Sequence, residues 1–407
     1  MIVGWIERNE GDKFFGWLSS SDNLADKHKA VHIYSSGELR WIKRIIIKPA
    51  ERSDLEAYSN VCLFEFDFGS QEFNEGVSTC AIHFKISCLD TAYPLLVTSH
   101  LVSQSVAAIG GPSEGMAFGR ISSDGAAVIG AGGKIFLREG SNNVENLYNG
   151  DFSINLAGWL NVFQSRHALS AQQNFRYIQI VIPEKSSVMY WNVPFHATKG
   201  SAGLNELVKC LDAHPELRGN FISGEDYLPD EVHSEAVFRA FDTHMSTAGC
   251  KLLVDTLVER IAPEIDPFYR LGPFTHGSAP GDIGSRFLED GDITERPPLY
   301  ESLLSLDGEV LAPALISEYD PSEGNIGIQR SWRCANAPFK KRVVCFGGSS
   351  FERGEVSSTL SWWCSRLFAE FHFYWDPECR ADIVASQSPD IVICQTIERF
   401  LTIVPTR

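Results

Sequence analysis

The sequence predicts an α/β protein whose mainly parallel sheet is flanked by helices and preceded by an N-terminal all-β sandwich domain. Over residues 1–100, short apolar runs alternate with polar turns and show no helical period. Farther along, near-continuous apolar runs are typical of strands covered on both faces, at 177–182, 342–346 and 390–394. Helical patterns at 203–213 and 246–261 fall between these runs, and such alternation indicates a parallel sheet.

The 407 residues are too many for one small core and suggest at least two domains. We expect the sandwich to span residues 1–100 and the α/β domain to span residues 101–407. Within the latter, frequent Gly and Pro at about 265–335 predict an irregular, lid-like insertion. Trp362, Trp363, Leu367 and Phe368 fit the inner face of a further helix.

The charge and the cysteines exclude several function classes. A formal net charge of -17 argues against binding nucleic acid or an anionic membrane, because the long-range field repels both. No apolar run of about 18 residues and no signal peptide is visible, which predicts no membrane span and a cytoplasmic protein, or a periplasmic one if a leader has been removed. The ten cysteines contain no C-x-x-C pair, so we expect free structural thiols and no zinc site.

A strand–glycine–serine segment is the first candidate for chemistry. The buried run ending at Phe346 leads into Gly347, Gly348, Ser349 and Ser350, after which a helix is expected. Strand ends of open α/β sheets open onto the ligand crevice, and the glycines let the backbone approach a ligand closely. Ser350 is therefore a candidate nucleophile. The alternative is a serine that only caps the helix.

The second candidate is Asp242-Thr243-His244, which stands just before the helix predicted at 246–261. A carboxylate and an imidazole one residue apart can face one cleft, where the carboxylate orients the ring and the ring takes a proton from a serine. A lone D-x-H is often incidental. Metal ligation has less support, because no second His or Cys stands nearby at ligand spacing.

Together these motifs resemble the SGNH-type domain of alginate O-acetyltransferases, in which a D-x-H motif precedes a G-D-S-F-like nucleophile motif. The resemblance covers residues about 100 to 407. Further elements in the same order carry it, at 128–137, 142–150, 180–185, 281–284, 388–393 and 398–401. Ser349 departs from the pattern, since it stands where the family has Asp.

The resemblance implies an acyl-enzyme mechanism with Ser350 as nucleophile, His244 as base and Asp242 as its orienting acid. Ser349 and Gly348 would line the substrate site, and so would Arg399, unless it forms a structural ion pair with Glu398 or Asp390. No metal or cofactor is implied. The expected activity is O-acetyl transfer from an unidentified acyl donor to sugar hydroxyls of a bacterial surface glycan. A carbohydrate esterase or a non-catalytic glycan-binding scaffold is the alternative.

The first 100 residues are similar to a β-sandwich module attached to bacterial glycosyltransferases. The similarity rests on Gly4-Trp5, Phe15-Gly16-Trp17 and Arg52-Ser53-Asp54-Leu55. It implies a role in surface-glycan assembly, with glycan or glycan-assembly proteins as partners. We expect Trp5 and Trp17 to be core residues, and no catalytic residue in this part.

Overall fold

A computed structural model of the chain describes two compact units, formed by residues 1–141, 189–197 and 280–294, and by the rest of the chain. Of the first 100 residues it describes the strands. Beyond them it describes residues 119–130, 133–139, 143–149, 153–190, 192–228, 237–262, 269–278, 280–290, 295, 297–305 and 307–406. The candidate residues Asp242, His244 and Ser350 all belong to the second unit.

The first unit contains a seven-stranded barrel. Its strands are β1 (Ile2–Glu10), β2 (Lys13–Ser20), β3 (Ala30–Ser35), β4 (Trp41–Pro49), β5 (Cys62–Asp67), β6 (Ile82–Ile86) and β7 (Ala92–Val97), in the order β1-β2-β5-β4-β3-β6-β7. The all-β expectation is met, but the strands close on themselves, because β1 also pairs in parallel with β7. Closure leaves no free sheet edge, unlike the two stacked sheets expected. Trp17 is buried, as expected, and Arg52–Leu55 lies outside the described residues.

The same unit contains the hairpin of β8 (Ala127–Ile129) and β9 (Ile135–Leu137) and a 3-10 helix at Gly284–Asp290. The guanidinium of Arg286 forms an ion pair with Asp124. Arg120 lies over the ring of Phe287, 5.5 Å from its centre.

The second unit is built on a seven-stranded sheet with the order β11-β10-β20-β18-β19-β17-β16. Its strands are β10 (Arg176–Ile182), β11 (Phe221–Ile222), β16 (Ala314–Tyr319), β17 (Gln329–Arg333), β18 (Phe339–Gly347), β19 (Phe368–Trp375) and β20 (Ile391–Ile397). Strands β11, β10, β20, β18 and β19 are parallel, while β17 and β16 continue the sheet antiparallel. The expected α/β architecture is confirmed.

Eight α-helices of this unit are described, besides 3-10 helices at Val144–Leu147 and Glu398–Thr402. They are α1 (Leu156–Gln173), α2 (Lys185–Val188), α3 (Ala202–Asp212), α4 (Pro215–Arg218), α5 (Gly224–Tyr227), α6 (Thr247–Ile261), α7 (Leu360–Leu367) and α8 (Ala381–Gln387). Helices α3 and α6 match the predicted segments within one residue. Side-chain oxygens of Ser201 and Ser246 accept backbone hydrogen bonds at their N-termini, which explains where both helices begin.

The helices cover both faces of the sheet because successive strand residues point to opposite sides. On one face, Val344 packs with Tyr177, Val392 and Val384 of α8. Helix α7 packs against β19 and α6, and Cys345 of β18, Cys364 of α7 and Cys250 of α6 are all buried. The cysteines whose side chains the structure describes are free, as expected: Cys210, Cys250, Cys334, Cys345, Cys364, Cys379 and Cys394.

A long antiparallel ribbon stands within the range expected to be irregular. It consists of β12 (Tyr269–Leu271) and β13 (Phe274–His276), which pair with β15 (Leu303–Ser305) and β14 (Pro298–Tyr300). Backbone hydrogen bonds from Gly272 to Ser302 and from Glu301 to Pro273 continue the same register between the two paired regions. We call this element the ribbon. Strands β16 and β17 also fall in the range 265–335.

Two local predictions need correction. Phe368 does not belong to the helix of Trp362 and Trp363, because α7 ends at Leu367 and Phe368 begins β19. The helix expected directly after Ser350 begins at Leu360, after a stretch of turns. In the described part of the chain, none of the helices is long and apolar enough to cross a membrane.

Candidate active site

Polar side chains gather where the central parallel strands end. Strand β10 leads into Glu184 and Lys185, β18 into Gly348 and Ser350, and β20 into Glu398 and Arg399. Because these strands are parallel neighbours, their carboxyl ends meet at one edge of the sheet. This edge is the place where an open α/β sheet binds its ligands.

Ser350 lies in a tight turn that follows β18. The turn is closed by the backbone N–H of Phe351, which donates to the carbonyl of Gly348 over 3.1 Å. The N–H of Gly348 donates to Oε1 of Gln395 on β20, 2.9 Å away. Ser350 is buried and does not cap a helix, since Thr359 holds the N-cap position of α7. The capping alternative is therefore wrong, whereas Ser349 and Gly348 are half-buried beside the turn.

Asp242 and His244 are brought together as the sequence predicts. Oδ1 of Asp242 accepts a hydrogen bond from Nδ1 of His244 over 2.6 Å and a second from the backbone N–H of His244 over 2.9 Å. A carboxylate can only accept, so the proton of the neutral ring sits on Nδ1 and leaves Nε2 as the basic nitrogen. This is the tautomer that a serine-activating base requires.

Arg239 binds the other oxygen of the same carboxylate. Its guanidinium lies 2.7 Å from Oδ2 of Asp242 and 2.7 Å from Oε1 of Glu295, and Oε2 of Glu295 accepts the backbone N–H of Ala240 over 2.8 Å. Burial acts to raise the pKa of Asp242, but the His244 hydrogen bond and charge, followed by the Arg239 charge, bring this pKa below its usual value. Asp242 is thus held as a carboxylate.

Lys185 supports the loop that carries this pair. The side chain is buried, and its ammonium donates to the carbonyl of Ala240 over 2.7 Å and to that of Asp242 over 3.3 Å. Lys185 directly follows the turn after β10, so the ammonium ties the Asp242 loop to the end of a central strand. Charge-assisted hydrogen bonds of this kind are stronger than neutral ones.

Glu398 and Arg399 form a buried polar network at the end of β20. Glu398 accepts hydrogen bonds from the N–H of Glu184, the hydroxyl of Ser187 and the N–H of Ser201, over 2.8, 2.7 and 2.5 Å. Arg399 pairs with Glu184 over 3.2 Å, and not with Glu398 or Asp390 as considered from the sequence. Its guanidinium is buried in this pair, which favours the structural role over a substrate-binding one.

Contacts also connect the segment after Ser350 with the helix after His244. The hydroxyl of Ser357 lies 2.9 Å from that of Thr247, the first residue of α6. One turn later, the thiol of Cys250 donates to the carbonyl of Ser358 over 3.2 Å. These hydrogen bonds hold the segment that follows Ser350 against the helix that follows His244. The pairing of His244 with Ser350 stays a prediction.

Three residues of this site were not assigned a role from the sequence: Arg239, Lys185 and Glu295. Arg239 stands three residues before Asp242, a spacing that gives no signal in a loop. Lys185 is part of a segment that carried the family resemblance, but only the structure shows which carbonyls it binds. Glu295 is distant in sequence, so nothing in its neighbourhood points to Arg239.

No family model matches the sequence, and no curated protein matches it. Comparison of folds retrieves two structures of Bacillus cereus PatB1. The one with a sulfonyl adduct is 11% identical and covers 62% of this chain and 93% of PatB1, with a TM-score of 0.42. The other is 10% identical, with coverages of 61% and 92% and a TM-score of 0.41.

The O-acetyltransferase domain of Pseudomonas putida AlgJ also matches. It is 15% identical, the match covers 69% of this chain and 93% of that domain, and the TM-score is 0.40. At these identities and TM-scores the similarity carries no argument about activity, which rests on the residues described above.

Proposed function

We propose that the second unit is an O-acetyltransferase that moves an acetyl group to a sugar hydroxyl through a covalent Ser350 intermediate. The observation that carries this proposal is the 2.6 Å bond from His244 Nδ1 to Asp242, whose second oxygen is bound by Arg239. It leaves a basic Nε2 on a ring held by a charged, buried carboxylate. A ring prepared in this way is what nucleophilic catalysis by a serine requires.

In the first half-reaction, the hydroxyl oxygen of Ser350 attacks the carbonyl carbon of the acetyl donor while Nε2 of His244 takes the hydroxyl proton. The tetrahedral intermediate collapses, the donor alcohol leaves with that proton, and an acetyl-serine remains. Asp242 stabilises the imidazolium that forms in between. The backbone N–H of Ser350 is suited to hold the developing oxyanion.

In the second half-reaction, an acceptor hydroxyl gives its proton to Nε2 and attacks the acetyl-serine. The serine oxygen leaves and recovers the proton from His244. A sugar acceptor yields an acetylated glycan, whereas water yields acetate, so the same groups would also serve a carbohydrate esterase. On the substrate side, Ser349 and Gly348 would line the acceptor site. Glycan-assembly proteins would be the partners of the chain.

The test uses p-nitrophenyl acetate with and without oligosaccharide acceptors. We expect Ser350→Ala to lower the hydrolysis rate on the order of 10⁴-fold or more, and Asp242→Asn to lower it about 10⁴-fold by favouring the wrong tautomer of His244. Ser349→Ala tests whether the neighbouring serine is the nucleophile instead, and Ser386→Ala, on the exposed face of α8, is the control that should keep full activity. Mass spectrometry distinguishes the acetylated oligosaccharide of a transferase from the acetate of an esterase.

Unchanged activity in folded Ser350→Ala protein would refute the mechanism and favour the non-catalytic scaffold. An essential Ser349 with a dispensable Ser350 would move the nucleophile by one residue. Covalent labelling with a sulfonyl fluoride gives an independent check. The mass added by the label should appear on the peptide that contains Ser350 and should be absent from Ser350→Ala protein.

A further inference from the structure

Three aromatic rings meet on one face of the ribbon. Phe274 and Tyr300 are directly opposed partners across β13 and β14, with ring centres 5.3 Å apart. His276 lies two residues farther on the same face, 5.4 Å from Phe274 and perpendicular to it. We call these three residues the aromatic ledge. Phe274 is 50% exposed, so the ledge presents a contiguous aromatic patch to solvent.

Two sets of contacts, one at Tyr269 and one at Tyr300, anchor the ribbon to helices and loops of the second unit. They limit the movement of the ledge. At the base, the ring of Tyr269 packs edge-on against Trp363 of α7 at 6.0 Å, and its hydroxyl donates to Asp255 of α6. Nearer the ledge, the N–H of Tyr300 donates to the hydroxyl of Ser357 over 3.0 Å. The exposed ring is therefore held in place by bonds to the body of the unit.

The same anchors connect the ledge to the candidate catalytic segments. Ser357, which receives the N–H of Tyr300, lies on the segment between Ser350 and α7. Thr247 stands three residues after His244, and its hydroxyl donates to the carbonyl of Pro298 on β14 over 3.3 Å. The strand that carries Tyr300 is thus bonded to the segments on which both His244 and Ser350 stand.

We propose that the aromatic ledge is the acceptor subsite, where a neutral pyranose ring stacks on Phe274. This inference rests on the proposed function and names its acceptor class. A pyranose has a flat face of C–H bonds and a rim of hydroxyls, so the face packs on an aromatic ring while polar groups serve the rim. His276, exposed on the same face as Phe274, supplies such a polar group within the ledge itself. The net charge of -17 favours a neutral sugar over an anionic one.

Direct binding tests the ledge without relying on turnover. The probes are three neutral hexasaccharides, namely cellohexaose, chitohexaose and mannohexaose, titrated by calorimetry into full-length Ser350→Ala protein. We expect at least one to bind, and Phe274→Ala in the same background to weaken that binding about tenfold, the usual effect of losing an aromatic stacking partner. Tyr319→Ala is the matched control, because Tyr319 is also exposed, at 56%, but lies on the edge strand β16.

Two further variants separate stacking from ribbon stability. Phe274→Leu keeps an apolar side chain but no flat ring, so it should lose binding like Phe274→Ala while unfolding at the wild-type temperature. Phe274→Trp in the Ser350→Ala background should bind at least as well as Ser350→Ala alone. Equal binding by Ser350→Ala alone and by Ser350→Ala with Phe274→Leu, or no binding of any hexasaccharide by Ser350→Ala alone, would overturn the subsite.

The outcome is independent of the catalytic proposal. Sugar binding that depends on Phe274, without ester hydrolysis that depends on Ser350, would support the subsite and refute the proposed function. Ester hydrolysis that depends on Ser350, without sugar binding that depends on Phe274, would support the proposed function and refute the subsite. If wild type dimerised in sedimentation experiments and Phe274→Ala did not, with no sugar bound, the ledge would be a self-association surface and the sugar assignment would be wrong.

Discussion

Replacing Arg239 by Met should strongly destabilise the second unit. The guanidinium bridges Asp242 and Glu295, whose side chains are only 6% and 10% exposed, so its loss leaves two buried carboxylates without their shared cation. Removing one partner of a buried ion pair typically costs about 3–5 kcal/mol. At about 2–4 °C per kcal/mol for a domain of this size, the melting temperature should fall by roughly 6–20 °C at neutral pH.

The matched control is Arg333→Met. Arg333 also pairs with a glutamate, Glu370, at 2.9 Å, but its own side chain is 61% exposed. Exposed pairs contribute about 0–1 kcal/mol, so this variant should melt within a few degrees of wild type. Calorimetry of both variants is the measurement. Equal shifts for Arg239→Met and Arg333→Met would show that the bridge contributes no more than a surface pair, and the argument would fail.

The pH dependence gives a second check of the same bridge. The pKa of Asp242 is lower in the folded protein than in the unfolded chain, where it is about 4. The ionised carboxylate therefore stabilises the fold fully at pH values above about 4. That contribution is lost progressively as the pH falls below this value toward the lowered pKa. The stability difference between wild type and Arg239→Met should therefore be constant from pH 7 to about pH 5 and shrink below about pH 4. A difference that grew on acidification would contradict the assignment.

Two further predictions concern the support of the site and the first 100 residues. Lys185→Met removes the ammonium that binds the Ala240 and Asp242 carbonyls, so kcat for p-nitrophenyl acetate should fall about 10- to 100-fold with little change in KM. Lys251→Met, which breaks the partly exposed pair with Asp255 and a cation–π contact with Tyr269, is its control and should leave kcat unchanged. A folded chain without residues 1–100 should hydrolyse the small ester at nearly the full rate but act less well on a polymeric glycan. Loss of small-ester activity would mean that these residues complete the active site.

The parts of the fold that the sequence predicted correctly are those with a strong local signal. Strands β10, β18 and β20 are continuous apolar runs because helices cover both of their faces. Strand β19 was missed because its sequence, FAEFHFYW, follows α7 without a turn, so its first residue, Phe368, was assigned to the helix. Strand β16 has no buried residue at all, and an exposed strand offers no apolar pattern to detect.

The candidate site likewise has a part that the sequence predicts and a part that it does not. Asp242 and His244 are two residues apart, so their contact depends on a loop conformation that the D-x-H motif already suggests. Arg239 and Glu295 are 56 positions apart and are residues of common types, so no sequence pattern indicates that they form an ion pair. The position of Ser350 at a strand end was predicted, whereas the turns that delay α7 to Leu360 were not, because Gly354 (φ +74°) is the only Gly or Pro between Ser350 and Leu360 and an isolated glycine does not exclude a helix.

The place of β20 has a consequence for biosynthesis. This strand comes after both β10 and β18 in the chain, yet it lies between them in the sheet, hydrogen-bonded to β10 on one side and to β18 on the other. While the chain emerges from the ribosome, β10 and β18 have no strand between them until residues 391–397 have been made. Pairings across such sequence distances form slowly, and the exposed edges are prone to association until they close. A premature stop codon before Ile391 should therefore yield an aggregating chain, not a shorter folded protein.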